Sequence, residues 1–392
     1  MRGSKARAAP RGHAPPCQAS ALDAGKTDTD MNPSSTASLP RARLSGVEAA
    51  RGVAALLVVF YHTALHVEGD VGGSILWGVP HFGHAGVDFF FVLSGFIITF
   101  VHYKDIGNPA RLGHYIQRRF TRVFPFYWVV LAYYLADTWL FHPLRDPGAA
   151  RVFSESLLLP LMSPNIVGGS WTLVFEIMFY VVFATLIVNR RVGAWVISIW
   201  ALVVIAGRVT HPLFLAHAPQ AIITSPYCLE FFMGMGCAYL MTHRRIPGSA
   251  AILLTGIVLF AAAGVAEVLG IMNGFGTVAR LIYGPCAALV IIGLVERERS
   301  GQLKVPRFLG VLGRASYSVY LVHLVAIGIA FHFISRMVHL TPAYALPLWF
   351  ALCVIGAGVG VLASIWVEHP VIRLSRRWLK WLDRTAVPAG AV

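Results

Sequence analysis

Residues 47–66 read VEAARGVAALLVVFYHTALH, an apolar run broken by Glu48, Arg51, His62 and His66. As a helix it rises about 30 Å, the thickness of a bilayer's hydrocarbon core. Ionisable side chains are expensive there, so each of the four is a candidate for function. Arg51 and His62 stand eleven residues apart, close to three turns. They therefore share one helix face, with about 16 Å of rise between them.

Working outward, comparable apolar segments fall near 85–103, 123–141, 171–189, 192–207, 220–241, 249–270, 277–295, 316–335 and 343–367. The composition agrees: 57% of the 392 residues are hydrophobic and only 13% charged, against about 25% charged in ordinary globular domains. The expected fold is an all-α, polytopic membrane helical bundle of about ten transmembrane helices. A net charge of +14 in a soluble chain would point to nucleic acid. Here Lys and Arg sit in short clusters between apolar runs, as cytoplasmic loops do, so membrane lipids, and not nucleic acid, are the expected surroundings.

Charge placement also tests the count. With the N-terminus inside, the loop 67–84 carries no Lys or Arg, whereas 104–122 carries Lys104, Arg111, Arg118, Arg119 and Arg122. Of 32 basic residues only Arg145, Arg151, Arg208, Arg280 and Arg336 fall on the outer side. Ten spans with both termini cytoplasmic satisfy the positive-inside rule; an odd count would put the basic C-terminal tail outside. Three regions are expected: a disordered basic tail over 1–43, a membrane domain over 44–375, and a basic cytoplasmic tail over 376–392. Met31 can serve as the start, since nothing before it reads as structural. The five cysteines form no C-x-x-C pair, and neither a disulfide framework nor a metal site is expected.

Arg51 reads either as a snorkelling anchor or as a functional cation. Three guanidiniums in RRFTRVFPFYW, Arg118, Arg119 and Arg122, lie within a turn and a half. They either set topology or bind phosphate through paired hydrogen bonds. On the outer side, Asp88 lies about one turn into the second span, and Glu176 lies five residues, about 7 Å, beyond Trp171 in the fourth. Asp88 could cap its helix and Trp171 could be an interfacial anchor. Read by depth, His62, Asp88 and Glu176 meet at one level, as a catalytic group or as a structural ion-pair network. In GVDFFFVLSGF, Ser94–Gly95 reads as a close helix contact. His323 reads as packed or catalytic, Glu368 as a boundary residue, and Glu230 has no assigned role.

Taken together, RGVAALLVVFYH, GVDFFFVLSGF, RRFTRVFPFYW, SWTLVFEIMFY, SYSVYLVH and VEHP resemble the acyltransferase-3 family of integral membrane acyltransferases. The branch most similar acetylates bacterial exopolysaccharides. No SGNH domain follows the tenth span, unlike the longer O-antigen-modifying members. The resemblance implies an acyl-CoA donor, usually acetyl-CoA, as substrate and no permanently bound cofactor. It implies a hydroxyl acceptor on an exported or lipid-linked glycan and a place in the bacterial inner membrane. It assigns His62 as the catalytic histidine, Arg51 as its motif partner, Arg119 and Arg122 as a functional pair, and Trp171 and Glu176 to the fourth-span motif. Tyr180 and His323 join Trp171 as supporting residues. The expected mechanism has two levels: Arg51, Arg118, Arg119 and Arg122 hold acyl-CoA, and His62, oriented by Asp88 or Glu176, is the general base. The competing functions are a glycan or lipid-carrier flippase, and an acyltransferase for a secondary metabolite such as a macrolide.

Overall fold

The computed structural model describes residues 44–141, 146–161, 165–210 and 220–385. The tail expected over 1–43 and the last residues of the chain lie outside them. Thirteen α-helices, and no strand, occur among the described residues. They are α1 (Ser45–Asp70), α2 (Gly86–His102), α3 (Leu112–Phe141), α4 (Ala149–Ser156), α5 (Trp171–Val188), α6 (Arg190–Thr210) and α7 (Gln220–Ile223), followed by α8 (Tyr227–His243), α9 (Ser249–Val268), α10 (Thr277–Arg299), α11 (Arg307–Met337), α12 (Ala345–Ala363) and α13 (His369–Thr385).

Ten stretches are long and apolar enough to cross a bilayer, matching the expected count of spans. Two of the helices begin earlier than the apolar runs suggested. Helix α3 starts at Leu112 and carries Arg118, Arg119 and Arg122 on helical backbone instead of in a loop. Helix α11 starts at Arg307, more than two turns before the expected boundary. At the other end of the chain, α13 continues helical to Thr385.

The bundle is held by close backbone approach, as expected where lipid removes most hydrophobic drive between helices. Helices α2 and α8 meet at Gly95 and Gly234. A Cβ on Gly95 would collide with the Phe231 carbonyl, and one on Gly234 with the Val92 carbonyl. Helices α1 and α11 run side by side in the same direction, with Gly52 against Gly313 near their starts and His62 against His323 further along. Packed around them is a core that includes Tyr127, Phe179, Phe183 and Phe231, all essentially inaccessible.

Two irregularities position the site. Between α1 and α2 a 3₁₀ stretch, Leu76–Ala85, turns the chain back through Trp77 and Gly78, which have positive φ. Between α12 and α13, residues Ser364–Glu368 form a π-helical turn. Such turns are frequent at functional sites, and this one holds Glu368 at 1% exposure inside the bundle.

Candidate active site

A cavity of about 270 Å³ lies between α1, α2, α3, α5 and α11. Its polar lining consists of Arg51, Arg119, Arg122, Glu176, Tyr180, Ser94, Thr172, Ser316, Tyr317 and Tyr320. Arg119 and Arg122 reach it together because residues three apart share a helix face. Arg118 is offset by about 100°; its side chain is exposed and not part of the lining. The expected cluster of three arginines on α3 is thus a pair, completed by Arg51 from α1.

Each member of the pair is braced from behind. Arg122 Nη1 donates to Glu368 Oε1 at 2.9 Å, and its guanidinium lies 5.0 Å from the Tyr317 ring centroid. The other Glu368 oxygen accepts from Ser318 at 2.7 Å and Ser364 at 2.9 Å. Glu368, expected as a boundary residue, is therefore the buried counter-charge of Arg122. Arg119 Nη2 donates to His102 Nε2 at 3.0 Å, and His102 Nδ1 donates to Asp105 at 2.7 Å. Arg51 makes no hydrogen bond or ion pair through its side chain among the described residues, so its guanidinium is available to a ligand. Glu176 accepts a short hydrogen bond from Tyr180 and a longer one, 3.4 Å, from Ser94.

His62 sits beyond the far end of this cavity, three turns along α1 from Arg51. Its Nδ1 lies 3.1 Å from the Val58 carbonyl and 3.1 Å from His323 Nε2; His323 Nδ1 lies 3.0 Å from the Val319 carbonyl. Carbonyls only accept, so in both rings Nδ1 carries the proton. His323 Nε2 then receives the His62 Nδ1–H, and His62 Nε2 keeps a free lone pair. His323, fully buried, fixes the tautomer and tilt of His62. Tyr320 lines the cavity and packs 6.1 Å, centroid to centroid, from His323, which connects the two regions.

The grouping expected from depth is corrected. Glu176 belongs to the arginine cavity and not to His62. Asp88, 0% exposed, forms an ion pair with Arg280 of α10 at 2.7 Å, and Arg280 itself is 2% exposed. Glu230 of α8 faces the same Asp88–Arg280 pair, and Arg280 also lies 4.5 Å from the Tyr227 ring centroid. Asp88 makes no helix cap and no hydrogen bond to His62 among the described residues. Depth locates a residue along the membrane normal but leaves its azimuth open, and Asp88 and His62 face different neighbours. Trp171 is neither an isolated anchor nor part of the cavity lining; it packs on Phe91, Phe175 and Tyr227.

Sequence reading assigned no role to Arg280, Glu267 or His84. His84 bonds Glu267 at 2.7 Å, and Tyr283 donates to the other Glu267 oxygen at 2.8 Å. Arg280 was counted as a loop charge, yet it lies in an apolar helix where an arginine needs a partner; that was the available signal. No group of residues suited to a metal ion occurs among the described residues.

Ten membrane helices enclosing a guanidinium-lined cavity, with an oriented imidazole beyond it, define an integral membrane group-transfer enzyme. Residues 44–367 match the family model described as an acyltransferase domain, and the chain belongs to this acyltransferase-3 family. Among curated relatives it is 31% identical to the exopolysaccharide production protein ExoZ of Rhizobium meliloti (strain 1021), over 75% of this chain and 91% of that protein. It is 27% identical to the acyltransferase MdmB of Streptomyces mycarofaciens, over 86% of this chain and 93% of that one. Protein 2 in the picA locus of Rhizobium radiobacter is 28% identical over 40% of this chain and 84% of its own length. No solved structure matches the chain. The protein is a multi-pass membrane acyltransferase, and the flippase reading gives way to that.

Proposed function

We propose that the protein moves an acyl group, acetyl in the simplest case, from acyl-CoA to a hydroxyl of an exported or lipid-linked glycan in the bacterial inner membrane. The observation that carries this reading is the spacing of two unlike centres along α1: guanidiniums at Arg51, and an oriented imidazole with a free Nε2 at His62. Arg51, Arg119 and Arg122 would meet the phosphates of coenzyme A, since guanidinium forks match phosphate oxygens bidentately. A cavity of about 270 Å³ is at the small end of ligand pockets, roughly 300–1,000 Å³. It suits the thin pantetheine arm and acyl group, with the nucleotide outside. The arginine end faces the cytoplasm in this reading, where acyl-CoA is found, and both termini lie on that side. The name of the Rhizobium meliloti relative supports an exopolysaccharide acceptor.

At the far end His62 Nε2 takes the proton of an acceptor hydroxyl as general base. The oxygen attacks the thioester carbonyl, an O–C bond forms and the C–S bond breaks. The coenzyme A thiolate leaves and takes up the proton from the imidazolium. No residue need hold the acyl group covalently. His323 acts as the orienting partner, in the place first expected for Asp88 or Glu176. Glu176 and Tyr180 line the path between the two centres.

Deleting the gene and recording NMR spectra of surface and secreted polysaccharide tests the reading. Ester signals present in the parent strain should vanish and return with the wild-type gene but not with His62→Ala. Esters restored by His62→Ala would contradict it.

A further inference from the structure

A second cavity, of about 310 Å³, opens between α1 and α11 on the side of His62 away from the arginines. It is lined by His62, Leu65, His66, Leu324, Ile327 and Gly328. His62 and His66 are four residues apart and so face the same way, one turn from each other. His66 Nδ1 lies 3.3 Å from Asp70 Oδ2, and its ring packs edge-on against Phe331. Its Nε2 is buried and has no hydrogen-bond partner. A buried nitrogen without a partner costs free energy, which a donor arriving with a ligand would recover. The remaining walls are apolar, and a Cβ built on Gly328 meets nothing within 4 Å, so the glycine leaves space that no protein atom fills.

We propose that this cavity is the acceptor subsite, taking a ring that bears at least two hydroxyls: one donates to His62 Nε2 and is acylated, and another donates to His66 Nε2. Sugar rings combine hydroxyl donors with apolar C–H faces, and Leu65, Leu324 and Ile327 supply the matching apolar wall. His66 is thus a positioning residue that selects which hydroxyl reaches His62. The assignment rests on the acyl-transfer reading above.

The test uses the full chain in the deletion strain, with NMR of polysaccharide esters, and the same variants in lipid nanodiscs titrated with labelled acetyl-CoA. Gly328→Leu fills the cavity from a position with open space around it. It should lower ester content at least about tenfold, as should His66→Phe, with acetyl-CoA binding unchanged in both. His66→Gln, which retains an acceptor atom, should restore ester, spread over more than one ring position. A purely structural role for His66 would not move the ester position. Full ester content in Gly328→Leu would overturn the inference and leave acyl transfer standing. Loss of acetyl-CoA binding in that variant would also overturn it, by making the cavity part of the donor site. If the wild-type gene itself restores no ester, the acyl-transfer reading fails and the subsite with it.

Discussion

At the scale of single residues, the account separates side chains that sequence alone had grouped. His62 keeps a free Nε2 only because Val58 and His323 occupy its Nδ1 proton. Removing a general base typically costs about 10²–10⁴-fold in rate. His62→Ala should lose transfer by that factor while still binding acetyl-CoA in a titration. Arg119 and Arg122 face the cavity and Arg118 does not. Charge-assisted hydrogen bonds contribute about 1.5–3 kcal/mol each, so Arg119→Ala or Arg122→Ala should weaken acetyl-CoA binding by roughly 10- to 150-fold. Arg118→Ala should leave it unchanged; equal losses at all three positions would mean that charge density near the helix end, and not the cavity, captures the donor.

Between elements, two kinds of contact hold the bundle, and each can be broken singly. The Asp88–Arg280 pair ties α2 to α10 with both side chains at most 2% exposed. Leaving one buried charge without its partner costs about 3–5 kcal/mol, whereas replacing both with apolar groups is often neutral. Asp88→Ala should therefore lower thermal stability in detergent sharply, and Asp88→Leu/Arg280→Met should recover most of it. If Asp88→Ala is as stable as wild type but inactive, Asp88 belongs to catalysis after all. The α2–α8 seam is a backbone contact, and Gly95→Leu should force it apart, seen as loss of folded protein on size-exclusion chromatography. These elements also mark where sequence reading worked. Hydrophobic runs located the ten spans, because a bilayer demands length and apolarity and nothing subtler. The three-residue spacing of Arg119 and Arg122 was equally legible, being local to one helix. Partners across helices were not: Glu368 with Arg122, Arg280 with Asp88, and His323 with His62 are joined by packing, and packing depends on the rotation of each helix about its own axis.

Across the whole molecule, the two centres define a path along the paired helices α1 and α11. The arginine cavity lies near their starts and the His62–His323 pair lies about 16 Å further along. Neither end carries out transfer alone in this account: one holds the donor and the other activates the acceptor. Placing them apart on parallel helices lets donor and acceptor approach from opposite sides of the membrane without a pore between them. The low charge content of the chain follows from the same arrangement, since each buried ionisable group must either have a partner or take part in chemistry. The most direct test of the central claim is acetyl transfer from labelled acetyl-CoA to glycan in membrane vesicles, measured beside acetyl-CoA binding, for wild type, His62→Ala and Arg122→Ala. The account predicts transfer only in wild type, retained binding in His62→Ala and lost binding in Arg122→Ala; undiminished transfer in His62→Ala would contradict it.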